Sequence, residues 1–252
     1  MDVKSNMSRA AMALSAAALA CTAACGGGGG GGGAGEEKAG GKTSASAAPG
    51  LGKAKDKAPQ APLTAAQLDE AALASGDVPD YKVTKTSEAD MPAGSVPAEP
   101  AACQPIADMF FFTSTPGAES RTGRTLAAES GLDATVTSLA LLAHERSDAE
   151  KVIADLRTAS DKCTAYKHTD YRYSGVEALP IPEYGDEAVS YRLKGTIEDT
   201  TLTMTFTIVR SDSTLAAFYA MKALGGDEVE VPAEVIKAQL AKLEKVRKKS
   251  GV

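Results

Sequence analysis

Apolar positions follow two rhythms along the chain. Leu202, Met204, Phe206 and Ile208 alternate with Thr201, Thr203, Thr205 and Thr207. This period of two predicts an antiparallel strand with one buried and one wet face. Residues 211–213 then read as a hairpin turn, with a return strand over about 215–221. Further strands are predicted at 82–86, 121–127, 135–143, 171–173 and 188–194.

Elsewhere the spacing changes to three and four. Thr64 and Gln67 form a capping box, and Leu63 with Leu68 a hydrophobic staple, so a helix should start there and run to Gly76. Ser147 with Glu150 opens a second, whose Ala149, Val152, Ile153, Leu156, Ala159 and Cys163 share one face. A third follows Pro232, with Ile236, Leu240 and Leu243 inward and Lys237, Lys242 and Lys245 outward, its basic end matched to the helix dipole. Residues 103–109 read as a short helix start. Helices among hairpin-linked strands predict an α+β fold: a twisted antiparallel β-sheet with helices packed mainly on one face, in a single domain over 63–252. About 190 residues can bury a core unaided.

Before Leu63 the pattern is different. Lys4 and Arg9 precede an Ala/Leu/Met stretch over 10–20, followed by small residues and by Cys21 and Cys25, the layout of a secretory signal. The stretch is short for a membrane span, which needs about 20 apolar residues. Small residues ending in Cys resemble the lipobox of bacterial lipoproteins, whose mature N-terminus is a lipid-modified cysteine. Two sites compete, Ala18-Leu19-Ala20-Cys21 and Thr22-Ala23-Ala24-Cys25, and neither has Leu three residues before its cysteine. Cys25 is preferred, with Cys21 the alternative, because Gly26 opens a glycine tract suited to a tether. Residues 1–24 are then the signal peptide and 25–62 a disordered linker of Gly, Ala, Lys, Ser and Pro, reaching about 35 Å. The eight successive glycines satisfy a phosphate-loop pattern trivially, with no strand before them and no helix after.

Charge and composition narrow the function. With 27 basic against 33 acidic residues, the chain lacks the basic surface that holds nucleic acid through its phosphates. Only two histidines are present, too few for a multi-histidine metal site. His144-Glu145 begins like a zinc-protease motif but continues Arg146-Ser147-Asp148. His168 and Asp170 fit a solvated loop end better than a metal site. No G-x-S-x-G elbow surrounds a serine, and Asp186 and Glu187, being adjacent, would point to opposite faces of a strand. Neither catalytic residues, metal ligands nor a cofactor are expected.

If Cys25 is lipidated and Cys21 removed, Cys103 and Cys163 remain, and in an exported protein they should be joined. Closing a loop of that length would restrict the unfolded chain by about 4 kcal/mol. Traces of a binding site are weaker. Tyr171 and Tyr173 flank Arg172, with Tyr184 and Tyr191 nearby; aromatic faces with polar tips suit amphipathic or sugar ligands. Ordinary packing competes with that reading, as a plain wet strand competes with ligand hydroxyls for the threonine stripe. Phe110, Phe111 and Phe112 read as core.

Several segments together resemble a known family. Asp77-Val78-Pro79, Ala102-Cys103-Gln104-Pro105-Ile106-Ala107-Asp108, Tyr184-Gly185-Asp186-Glu187-Ala188 and Ile208-Val209-Arg210 are similar to actinobacterial surface lipoproteins related to the extracellular sensor domain of PknH-type receptor kinases. The resemblance spans about 63–247 and implies an antiparallel sheet with flanking helices and a ligand cleft. That sensor domain has two disulfides, and this one has cysteines for one. The expectation is a non-enzymatic lipoprotein on the outer face of the cell membrane, held by its N-terminal lipid. It would bind a small-molecule, lipid or glycan ligand in a cleft and report through a protein partner. A lipid carrier and an envelope interaction module are the alternatives.

Overall fold

The computed structural model describes residues 61–129, 135–197, 200–222 and 229–251. The expected signal peptide, Cys21, Cys25 and nearly all of the expected linker lie outside them. Nine strands form one antiparallel sheet: β1 (Tyr81–Lys85), β2 (Ala98–Glu99), β3 (Ser120–Ala128), β4 (Thr135–Ala143), β5 (Ala165–His168), β6 (Tyr171–Ala178), β7 (Glu187–Ile197), β8 (Thr200–Ser211) and β9 (Thr214–Lys222). Their order across the sheet is β1-β3-β4-β9-β8-β7-β6-β5-β2. Four helices accompany them: α1 (Ala65–Ala71), α2 (Gln104–Phe110), α3 (Arg146–Lys162) and α4 (Ala233–Ser250). The α+β class and the antiparallel sheet are as expected.

The placement of the helices is a correction. In β4, Ala140 and Leu142 join a core with Ile106 of α2 and Val152, Ile153 and Leu156 of α3. The intervening Leu139, Leu141 and Ala143 join a second core with Leu68 of α1 and Val235, Ile236 and Leu243 of α4. Successive strand residues point to opposite faces, so the helices cover both faces, two to each, rather than mainly one. The reason is visible in the central strands, where 139–143 and 215–218 are unbroken apolar runs, the signature of a sheet buried on both sides.

The threonine stripe of β8 is corrected for the same reason. Thr203, Thr205 and Thr207 are each buried, not wet. Thr205 donates to the Val229 carbonyl at 2.6 Å, and the Thr207 hydroxyl lies 3.2 Å from that of Ser190, which in turn donates to the Phe206 carbonyl. The Thr205 and Thr207 hydroxyls are thus satisfied internally under a second layer.

Helix ends follow local chemistry where tertiary contacts allow. The Thr64–Gln67 capping box forms as expected. The helix stops at Ala71, well short of Gly76, because the buried Gln239 side chain of α4 accepts from the Leu73 amide at 3.0 Å and donates to the Ala71 carbonyl at 2.7 Å. A side chain from 166 residues away thus replaces the next helical turn. The N-cap of α3 is Glu145, two residues before the Ser147 signal, without a capping hydrogen bond from its side chain. Strands β2 and β5 were not expected. The two-residue β2 lies between Pro97 and Pro100 at one side of the sheet, and β1, with Lys82 and Lys85, forms the other.

Two clamps tie helices to the sheet. The Cys103–Cys163 disulfide forms as expected, joining the N-cap of α2 to the C-cap of α3 with 5.4 Å between Cα atoms. At the β8–β9 turn, buried Asp212 pairs with Arg146 at the start of α3 and with Arg247 near the end of α4. The Asp212 amide donates to Asp186 Oδ2 at 2.6 Å, and the Asp186 amide donates to the Arg210 carbonyl at 2.8 Å. Gly185 has φ of +60°, and a Cβ there would stand 2.4 Å from the Arg210 carbonyl oxygen. The Tyr-Gly-Asp-Glu-Ala motif is thus a backbone clasp on the hairpin, and glycine is required for the close approach.

Candidate cleft on the α4 face of the sheet

Cross-strand register brings polar residues together at one end of the sheet. Arg192 of β7 pairs with Thr205 of β8, Lys222 of β9 with Thr135 of β4, and Ala128 of β3 with Tyr81 of β1. They floor an open cleft of about 620 Å³. Val229, Glu230 and Pro232, on the segment leading into α4, form its other wall, and Leu179 closes it beyond β6. The volume is that of a small-ligand site.

Side-chain direction explains who lines it. Tyr191, Leu193 and Val189 fill the α3-side core, so Arg192, between them, must face the α4 side. Its guanidinium is held at 2.8 Å by Glu177 of β6. The Tyr81 hydroxyl donates to Glu234 at 3.1 Å, fixing that ring beside the start of α4. The cleft therefore presents two cations, Arg192 and Lys222, one carboxylate, Glu230, and the polar groups of Thr135, Thr205 and Tyr81. Such a set can hydrogen-bond and charge-pair with a polar ligand.

The aromatic residues expected to bind ligand are not gathered in one place. Tyr173 and Tyr191 lie in the α3-side core, Tyr173 stacked on Tyr166 at 4.8 Å and Tyr191 on Phe206 at 5.0 Å. Burial raises the pKa of both hydroxyls, and Tyr191 is fully enclosed. Tyr184 packs against the opposite core, while Tyr171 and Arg172 are exposed at the start of β6. Phe110 stacks on Tyr219 at 5.7 Å and packs on the core, in keeping with its expected place.

Neither histidine lies in the cleft. His144 is wholly buried beside the β8–β9 turn, its amide donating to the Ser213 carbonyl, and burial lowers its pKa to about 4. His168 is buried against Phe111 and Tyr166, with its pKa also lowered by burial. Among the described residues no group of three His, Cys, Asp or Glu side chains could hold a metal ion.

Arg192, Lys222, Tyr81, Thr135 and Glu230 were missed in the sequence. The signal for Arg192 was present, since it alternates with Tyr191 and Leu193; for the rest, convergence depends on the register of strands far apart in the chain.

No family model and no curated protein matches the chain. Solved structures similar to it include the following two. One is the extracellular domain of PknH from Mycobacterium tuberculosis, with 13% identity and a TM-score of 0.45, covering 74% of this chain and 98% of that one. The other is an uncharacterized protein from Mycobacterium smegmatis, the Rv0999 ortholog, with 16% identity and a TM-score of 0.39, covering 73% and 95%. The first carries the name of the family that the sequence motifs resemble. The likeness concerns the course of the backbone and says nothing of a ligand.

Proposed function

We propose that the protein is a lipid-anchored extracytoplasmic binding protein that acts without catalysis and holds a polar envelope ligand in the cleft between Arg192, Lys222 and Glu230. The cleft carries this reading: its floor is charged and hydroxylated and its mouth is open, which suits a glycan or other polar ligand and is unsuited to acyl chains. The buried disulfide supports an oxidising compartment, in keeping with the leader before Cys25. The burial of both histidines, away from the cleft, leaves it without the commonest general base.

Native mass spectrometry of the protein purified from its own host, together with membrane fractionation, tests the proposal. A polar, non-acyl species should co-purify and be lost from the Arg192→Ala/Lys222→Ala variant, and Cys21→Ser/Cys25→Ser should release the chain from membranes. A co-purifying acyl lipid, or a ligand retained by the double variant, overturns the cleft assignment; unchanged membrane partition overturns the anchor.

A further inference from the structure

A second pocket, of about 270 Å³, opens on the other side of the sheet between α2 and α3. Its walls include Pro105, Met109 and Val152, and at its base is Asp108, only 2% exposed. Among the described residues, one side-chain donor meets that carboxylate: the Gln104 amide, at 2.7 Å from Oδ1. Gln104 has no more to offer, since its second hydrogen goes to the Val96 carbonyl at 2.8 Å and its oxygen accepts from the Ala98 amide at 2.8 Å. Among the described residues no Lys or Arg forms an ion pair with Asp108. Lys151 at the rim is bound to Asp155 at 2.6 Å, and His168, which feels the charge of Asp108, is held toward its neutral form by burial, so the pocket keeps one uncompensated acidic group. A buried carboxylate facing apolar walls is costly without a charged or hydrogen-bonding partner. One carboxylate and an amide whose oxygen is engaged offer too few oxygens for a divalent cation.

We propose that the pocket between α2 and α3 is a second binding site, for a small organic ammonium whose charge meets the Asp108 carboxylate and whose apolar body lies against Met109, Pro105 and Val152. Gln104 positions the carboxylate by holding Oδ1, leaving Oδ2 for the ligand. The Ser114 hydroxyl, also in the lining, donates to the Pro116 carbonyl at 2.7 Å and so turns its lone pairs to an incoming N–H. The site is independent of the cleft over β7–β9, on the opposite face.

Calorimetric titration of the full chain with benzylamine, charged at pH 7, and with benzyl alcohol, its uncharged match in shape, tests this. Benzylamine should bind saturably and at least tenfold more tightly than benzyl alcohol. Asp108→Asn should erase that preference, Ala101→Phe at the exposed rim should weaken both probes at least tenfold, and Arg192→Ala/Lys222→Ala should change neither. Equal affinity for the two probes, absence of saturation by benzylamine, or a preference retained in Asp108→Asn overturns the proposal. Should Asp108→Asn fail to fold, undiminished benzylamine binding by Ala101→Phe overturns it alone.

Discussion

His144 sits in the interior with neither ring nitrogen meeting a hydrogen-bonding partner among the described residues, so it is held neutral. Burial depresses its pKa from 6.5 to about 4, against a smaller opposing pull from Asp148. As pH falls below 6.5 the unfolded chain takes up a proton that the folded chain refuses until about pH 4. Stability should therefore fall across that window, by at most about 3 kcal/mol, and level off below it. Asp69 has a separate window. Hydrogen bonds from Lys85 and Arg124 lower its pKa from 3.8 to about 2, so its contribution is full above about pH 4 and lost as pH falls through about 2. Urea unfolding against pH should show both slopes, with His144→Phe reducing only the upper one, to which buried His168 also contributes, and Asp69→Asn reducing only the lower. Single residues were legible in the sequence where their neighbours alone decide their role, as with the Thr64 cap. Arg192, Lys222 and Asp108 were not, because what each faces is set by strands and helices remote in the chain.

At the scale of elements, the disulfide holds together two helices that otherwise meet over a pocket. Cys103 and Cys163 are both buried, and their separation of 60 residues gives a constraint of about 4 kcal/mol on the unfolded chain. Cys103→Ala/Cys163→Ala should lose roughly that much in urea unfolding, while far-UV circular dichroism of the folded state should stay the same. A loss below about 1 kcal/mol would mean that helix packing alone orders this region. The pairing could be foreseen from cysteine number and compartment. The early end of α1 could not, since nothing near Ala71 announces that Gln239 will take over its hydrogen bonds. Strand β2, two residues long, is too short for any periodicity to reveal.

The whole molecule is organised by a sheet that serves two cores. Leu141 and Leu142 are neighbours in β4, yet one belongs to the α1–α4 core and the other to the α2–α3 core. Each truncated to Ala should cost about 2–5 kcal/mol. Because both cores rest on the same strands, both variants should unfold in one transition. The chain has no Trp, and of its seven tyrosines Tyr166, Tyr173, Tyr191 and Tyr219 report on the α3 side while Tyr81 and Tyr184 pack on the other core. Near-ultraviolet tyrosine signal and far-ultraviolet signal should thus move together, in Leu141→Ala as in Leu142→Ala; a tyrosine signal that outlasts the backbone signal in Leu141→Ala would mean two independent halves. The two-faced arrangement was written in the unbroken apolar runs of β4 and β9, but the clean alternation of β8 suggested a sheet wet on one side.

The sides of that sheet carry a last consequence. With β2 reduced to two residues between prolines and β1 bearing Lys82 and Lys85, few backbone groups at either margin are available to a strand from another molecule. Copies crowded together would have little means of adding themselves edge to edge, so crowding should not lead to fibrillar growth.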